Sequence, residues 1–109
     1  MDKYSQAKTS MPFKNYQSVG GLSGWLNPEC SVHGGRSDAE IIKEYVSKFP
    51  EESLKVILQG REWLESDEFD WKKITVYFNR YFQSGQEAIE WFKGILKMIE
   101  EERKRQGLN

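Results

Sequence analysis

Apolar residues downstream of Ser37 recur every three or four positions, and this spacing restricts the fold more than any other feature of the chain. Such spacing places apolar side chains along one side of an α-helix, where they form a face that can be buried. Four segments show it. The predicted buried faces are Ile41, Ile42, Tyr45, Val46 and Phe49; then Leu54, Ile57, Leu58 and Leu64; then Trp71, Ile74, Tyr77, Phe78, Tyr81 and Phe82; and last Ile89, Phe92, Ile95, Leu96 and Ile99.

Local signals mark where these helices begin and end. Residues 37–40 (SDAE) and 84–87 (SGQE) both fit the capping box, in which a serine side chain and a glutamate three residues later bond to backbone amides of the first turn. Pro50 ends the first helix and suits the first position of the second, where Glu51 and Glu52 favour the positive end of the helix dipole. Residues 66–70 form a short polar break before the third segment.

The third segment is the one whose secondary structure stays open. Residues 74–82 (ITVYFNRYF) are rich in β-branched and aromatic residues, which strands also favour. Periodicity alone does not separate a short helix from an extended segment here. A helix is the prediction, with an extended segment as the alternative.

Residues 1–36 differ from the rest of the chain. Glycines cluster between Gly20 and Gly35 together with Pro28, and apolar periodicity is poor. We expect an irregular lead-in with one or two helical turns between Phe13 and Leu26, held to the core by Trp25 and Leu26. The prediction is therefore a single all-α domain over residues 1–109, a compact four- to six-helix fold with an irregular lead-in over 1–36 and helices over 37–106.

Composition excludes several classes of protein. The chain has 109 residues, of which 38% are hydrophobic and 14% aromatic, enough for one well-packed core. No apolar run approaches the roughly 20 residues that span a bilayer, and the N-terminal residues lack the apolar stretch of a secretory signal. The single cysteine, Cys30, cannot form an internal disulfide. We expect a cytoplasmic protein that does not bind membranes.

Charge is unevenly distributed along the chain. Residues 37–70 hold ten acidic and four basic side chains, a net charge of −6, whereas residues 71–109 hold eight basic and five acidic ones, a net charge of +3. Because no basic stripe runs along the chain, direct nucleic-acid binding is not expected. The acidic central third favours a basic partner, although it also fits a solvated helix surface.

Residues that could perform catalysis are few. Cys30 and His33 lie three positions apart, as a nucleophile with its base or half a metal site would. A structural zinc site needs four such ligands, and the chain contains two Cys or His residues in total. The glycines of residues 20–24 (GGLSG) lack the Lys-Ser/Thr of a phosphate loop. We therefore expect no enzyme activity, no metal and no cofactor.

The order of these features resembles the immunity proteins of contact-dependent growth inhibition systems. The resemblance rests on residues 26–35 (LNPECSVHGG), on the capped helix start at residues 37–42 (SDAEII), on residues 61–66 (REWLES) and on Trp91 in the last helix. It covers roughly residues 20–100. Glu29 and Cys30 stand where the family pattern has Asp and Trp.

The resemblance implies a cytoplasmic all-α protein that binds and neutralises a cognate toxin domain, often a nuclease. Carboxylates would then cover a basic active-site cleft. The candidate partner-binding residues are first Glu65, Asp67, Glu68 and Asp70, followed by Glu51 and Glu52. The alternative hypothesis is a small helical regulatory or adaptor domain that binds another protein, or nucleic acid through Lys72, Lys73 and Arg80.

Overall fold

The computed structural model describes residues 13, 15–29 and 35–108, and within them all regular structure is helical. The predicted all-α class is therefore confirmed. None of the described helices is both long and apolar enough to cross a bilayer. The five helices are α1 (Gln17–Leu26), α2 (Asp38–Lys48), α3 (Pro50–Leu64), α4 (Trp71–Tyr77) and α5 (Gly85–Arg105).

Helix α2 begins as its sequence predicts. The Ser37 hydroxyl accepts a hydrogen bond from the Glu40 backbone N–H at 3.2 Å, and the Glu40 carboxylate accepts one from the Ser37 N–H at 3.0 Å. The capping box is thus complete. Phe49 ends α2, and Pro50 opens α3 directly after it, so the two helices are joined without a loop.

Helix α3 buries a different side from the one that its apolar residues predict. Its buried residues are Ser53, Val56, Ile57, Gly60 and Trp63, whereas Leu54 is 40% exposed and Leu58 is 58% exposed. The predicted stripe of Leu54, Ile57, Leu58 and Leu64 is therefore wrong at Leu54 and Leu58, whereas Ile57 is buried and Leu64 is partly buried against the core. α3 has apolar residues on two sides, and its packing against both α1 and α5 selects the side that carries Trp63.

Gly60 permits the close approach of α3 to α5. A β-carbon at this position would lie 2.9 Å from Leu96 Cδ2 and 3.3 Å from Phe92 Cζ. Trp63 packs in the same layer, with its ring edge-to-face on Phe92 at 5.5 Å and on Phe13 at 5.0 Å between centroids. The helix-propensity cost of a glycine inside α3 therefore has a packing reason.

The segment of residues 74–82, whose secondary structure the sequence left open, is helical only as far as Tyr77; residues 78–82 form no helix or strand. The Asp70 carboxylate accepts a hydrogen bond from the Lys72 N–H at 3.0 Å and begins the helix. The helix ends at Tyr77, and Asn79 takes the left-handed conformation with φ of 57°, which stops it from continuing. Ile74 and Phe78 are buried, but Tyr81 is 83% exposed, so its predicted place on the buried face is wrong.

Helix α5 begins with half of the predicted capping box. Ser84 Oγ accepts from the Glu87 N–H at 3.2 Å, but the Glu87 carboxylate accepts from the Gln83 N–H rather than from that of Ser84. Of the predicted apolar face, Phe92, Ile95, Leu96 and Ile99 are buried, and Ile89 is half-buried. Near the C-terminal end of α5, Glu100 pairs with Arg61 of α3 at 3.1 Å.

Helix α1 is longer than the one or two turns that we expected in the lead-in. It has ten residues and buries Val19, Leu22 and Leu26, although it contains three glycines. Packing against α3 and α2 outweighs the low helix propensity of glycine. Helix α1 is thus part of the core.

Candidate protein-binding face

The six candidate acids fall into two groups. Glu51 and Glu52 lie in the first turn of α3, whereas Glu65, Asp67, Glu68 and Asp70 follow its last residue. A helix of 15 residues is roughly 22 Å long at 1.5 Å per residue. The two groups therefore lie at opposite ends of α3 and do not form one cluster.

Two of the acids hold the local structure together. Asp70 caps α4. The Glu68 carboxylate accepts from Asn15 Nδ2 at 2.9 Å and 3.1 Å, which ties the residues just before α1 to the loop after α3. Both side chains are exposed, but their contacts give them structural roles that the spacing of charges did not reveal.

Glu65 and Asp67 differ from Glu68 and Asp70 because their carboxylates form no such contacts within the described residues. Both are exposed, and no hydrogen bond or ion pair joins either carboxylate to another side chain in the described part of the chain. Glu65 is also the residue that ends α3. These two carboxylates are thus available to a cationic partner group without the loss of a contact that stabilises the fold.

At the other end of α3, the Glu52 carboxylate contacts neighbouring side chains, whereas Glu51 is exposed. Glu52 Oε1 accepts from the Ser18 hydroxyl at 2.8 Å, and Glu52 Oε2 lies 3.4 Å from Lys55 Nζ. The Ser18 hydrogen bond, together with the Lys55 charge, holds the pKa of the Glu52 carboxyl below its usual value. Glu52 therefore remains charged at neutral pH.

Sequence reasoning missed the residues that give this region its apolar character. Leu54 and Leu58 are one turn apart on the solvent side of α3, on the same side as Glu51, Glu62 and Glu65. We call these five residues the outer face of α3. The sequence shows apolar residues on two sides of this helix, but it does not indicate which of the two sides packs against the core.

A groove of about 590 Å³ borders the outer face on the α5 side. Its apolar residues are Leu64, Phe69, Ile89 and Leu96, and its charged residues come from both helices. Lys93 and Lys97 lie on one rim, while the ion pair of Arg61 with Glu100 bridges the groove toward α3. The surface near Glu65 thus combines apolar area with charges of both signs.

Arg80 was a candidate for nucleic-acid binding under the alternative hypothesis, but its guanidinium makes contacts within the protein. Its guanidinium donates to both carboxylate oxygens of Asp38 at 2.8 Å and 3.1 Å and to the Leu26 carbonyl at 2.7 Å. It also lies over the Trp91 ring, 5.0 Å from the centroid. A phosphate would have to replace these contacts. Lys72 is exposed and Lys73 is half-buried, so little of that basic surface remains.

Cys30 and His33 lie outside the described residues. Within residues 13, 15–29 and 35–108, no group of three or more Cys, His, Asp or Glu is arranged to hold a metal ion. No protein family profile, no curated protein and no solved structure matches the chain in sequence or fold.

Proposed function

We propose that this protein is an immunity protein that neutralises a cognate toxin domain, a nuclease with a basic active-site cleft. It does so with the outer face of α3 and the loop at residues 65–70. The observation that carries the proposal is the combination on α3 of two solvent-exposed leucines with unpaired carboxylates. On this proposal the protein acts by binding, and its own side chains catalyse no reaction.

The leucines supply the apolar part of the contact. Leu54 and Leu58 are on successive turns, so a partner that covers one of them covers both. Fully burying an exposed leucine side chain stabilises a complex by about 1.5–3 kcal/mol before the costs of association. Apolar residues at the centre with charged residues around them are the usual arrangement of a protein interface.

The carboxylates supply selectivity for a basic partner. Glu51, Glu62 and Glu65 surround the leucines, and Asp67 follows in the loop. A nuclease cleft that receives phosphate must be electropositive, so these groups would speed the encounter and pair with Lys or Arg at the contact. Coupling of desolvated charge pairs reaches about 1.5 kcal/mol or more, whereas charges at the rim mainly change the association rate.

The position of the face suits occlusion of an active site. α3 is packed on α1, α2 and α5, so its outer face is presented by a helix held in place by three others. A rigid surface loses little conformational entropy on binding and can act as a fixed cover. The loop at residues 65–70 is anchored at Glu68 and Asp70, which leaves Asp67 projecting from a held backbone.

The test uses the C-terminal domain of the protein encoded immediately upstream of this gene, expressed as the candidate toxin. Cells that produce this domain should stop growing, and co-expression of the protein should restore growth. Binding measured by calorimetry with purified components should then be weakened at least tenfold by Leu58→Asp, which places a charge at the centre of the contact.

Val76→Asp provides the matched control, since Val76 is 61% exposed and Leu58 is 58% exposed, but Val76 lies on α4. This variant should bind and protect like the unchanged protein. Absence of binding to the upstream-encoded domain, or equal binding by both variants, would contradict the proposal. Salt-sensitive binding to random DNA in its place would support the alternative of a nucleic-acid-associated protein.

A further inference from the structure

The exposed charges on α3 and α5 are separated by helix. Glutamates lie on the outer face of α3, whereas lysines recur at helical spacing along one side of α5, which borders the groove. All of these side chains are exposed, and no ion pair joins any of them to another side chain in the described part of the chain. The acidic row consists of Glu51, Glu62 and Glu65, and the basic row consists of Lys93, Lys97 and Lys104.

Apolar side chains lie between the two rows. Leu54 and Leu58 are 40% and 58% exposed and share a side of α3 with Arg61, which pairs with Glu100 of α5. Beside them, the groove of about 590 Å³ has half-buried apolar walls. These walls include Leu64, Phe69 and Ile89. An apolar strip with an acidic row along one edge and a basic row along the other therefore faces solvent, and we call it the α3–α5 face.

Helices α3 and α5 run antiparallel, which fixes the relative height of the two rows. Ser53 of α3 contacts Arg103 of α5, and seven residues further along α3, Gly60 lies against Leu96, seven residues before Arg103. Residue numbers thus fall along α5 as they rise along α3. This register places Glu65 near the height of Lys93, Glu62 near that of Lys97 and Glu51 near that of Lys104.

A second copy of the chain is complementary to the α3–α5 face. Two copies can meet face to face about a two-fold axis in the contact plane, directed either across the helices or along them. An axis across the helices sets α3 against α3 and opposes acid to acid. An axis along the helices sets α3 of each copy against α5 of the other and leaves every height unchanged. Each acidic row then faces a basic row.

We propose that the protein forms a homodimer through the α3–α5 face, with the two-fold axis directed along α3 and α5. The apolar strips of the two copies cover each other, and the acidic row of each copy pairs with the basic row of the other. Arg61 and Glu100 enter the contact as a pair that is already formed within each copy. An apolar centre with charges around it is the usual arrangement of a protein interface.

The dimer is a weak one. Its apolar strip consists of side chains that are only partly exposed, and each exposed ion pair contributes little. We expect a Kd on the order of 50 µM, in the range of small transient contacts. The inference does not rest on the proposed function. Because both use the outer face of α3, a toxin domain and a second copy compete for it.

Sedimentation velocity of the purified full chain, without any toxin domain, tests for the dimer. The average mass should rise from the 12.8 kDa of one chain toward twice that value between about 5 µM and 500 µM protein. Leu58→Asp should remain a monomer over this range, because it places a charge in the apolar strip. Val76→Asp changes a similarly exposed residue on α4 and should dimerise like the unchanged protein.

Charge reversal tests which rows face each other. The double variant Lys93→Glu, Lys97→Glu makes both rows acidic overall, and the double variant Glu62→Lys, Glu65→Lys makes both rows basic overall. Each double variant alone should remain a monomer, because like charges then oppose each other. Mixed in equal amounts, the two should form a heterodimer with an affinity within about tenfold of that of the unchanged protein, since every row again meets its opposite.

A matched control separates the rows from the net charge. The double variant Lys43→Glu, Lys72→Glu changes the net charge as the acidic variant does, but at exposed positions on α2 and α4. This control should dimerise alone like the unchanged protein. It should not form a heterodimer with Glu62→Lys, Glu65→Lys, because the basic row of the control would then face a basic row.

Several results would overturn the inference. These are a chain that stays monomeric at about 500 µM, a charge-reversal variant that dimerises alone as readily as the unchanged protein, and a mixture of the two reversal variants that stays monomeric. Loss of the dimer in the Lys43→Glu, Lys72→Glu control would assign the effect to net charge. Circular dichroism checks the fold of each variant, which should survive because the changed charges are exposed. Since no toxin domain is present, failure here leaves the growth-protection test unaffected.

Discussion

Arg80 donates two hydrogen bonds to the Asp38 carboxylate, at 2.8 Å and 3.1 Å. These bonds connect the segment after α4 to the first turn of α2. The same guanidinium donates to the Leu26 carbonyl, where α1 ends. Three helices are thereby joined at one side chain that is only about a quarter exposed, at 23%. A planar, two-pronged donor suits this position better than a point charge does.

Arg80→Met should destabilise the protein by about 1–3 kcal/mol, because it leaves Asp38 partly buried without its partner. Arg80→Lys should recover only part of the loss, since an ammonium cannot bond to both carboxylate oxygens and the Leu26 carbonyl in the same geometry. Urea denaturation measures both. Arg61→Met is the control, since the Arg61 pair with Glu100 is 53% and 40% exposed, and its loss should cost less than about 0.5 kcal/mol. Equal losses at Arg80 and Arg61 would contradict the structural role of Arg80.

Gly60 and Gly94 should respond in opposite directions to the same substitution. Gly60→Ala should lower stability by about 1–3 kcal/mol, because the new β-carbon would lie 2.9 Å from Leu96 in a packed layer. Gly94→Ala should raise stability by about 0.5–1 kcal/mol, because its β-carbon meets no atom within 4 Å and alanine is the better helix former. Thermal unfolding of the two variants is the comparison. A stabilising Gly60→Ala would mean that α3 and α5 are not in close contact.

Glu52 should titrate below the ordinary value of 4.5, chiefly because Ser18 donates a hydrogen bond to the charged form. A carboxyl whose pKa is lowered by folding contributes stability above pH of about 4.5, and this contribution is lost as the pH falls through the lower pKa of the folded state. Ser18→Ala should move the Glu52 midpoint upward, as followed by carboxyl ¹³C shifts. A midpoint that stays in place in Ser18→Ala would show that the hydrogen bond is not its cause.

Asp67 and Asp70 should separate partner binding from stability. Asp67→Lys should weaken binding to the cognate toxin domain while the melting temperature stays the same, because Asp67 is exposed and contacts no described side chain. Asp70→Ala should lower stability by about 1 kcal/mol through loss of the cap on α4. Affinity and melting temperature are measured on each variant. Unchanged affinity in Asp67→Lys would remove this acid from the proposed contact.

Glu68 behaves differently from its neighbour because of Asn15. Glu68→Lys removes the two contacts with Asn15 Nδ2 and should loosen the attachment of the residues just before α1. A modest loss of stability, about 0.5–1 kcal/mol, is expected in chemical denaturation. Restoration of stability by changing Asn15 to Asp in the Glu68→Lys background would confirm that the two residues are coupled.

Local features of this chain could be interpreted without the fold. The cap at Ser37, the proline that opens α3 and the periodic face of α5 each depend on residues within a few positions, and the structure has all three. Such features are determined by backbone hydrogen bonds and side-chain spacing along one helix. For this reason the all-α class followed from the sequence.

Other features depended on what lies across the core. Leu54 and Leu58 look as apolar as Val56 and Ile57, and only the packing of α1 and α5 around Gly60 and Trp63 turned the two leucines toward solvent. The small pocket beside Trp25, Tyr45 and Glu52 likewise combines residues from three helices. The spacing of residues in the sequence shows which of them share one side of a helix. Which side is buried depends on contacts between residues far apart in the chain. The sequence by itself therefore determined the all-α class and the starts of α2, α3 and α5, whereas the tertiary structure decided which helix faces are buried and which are exposed.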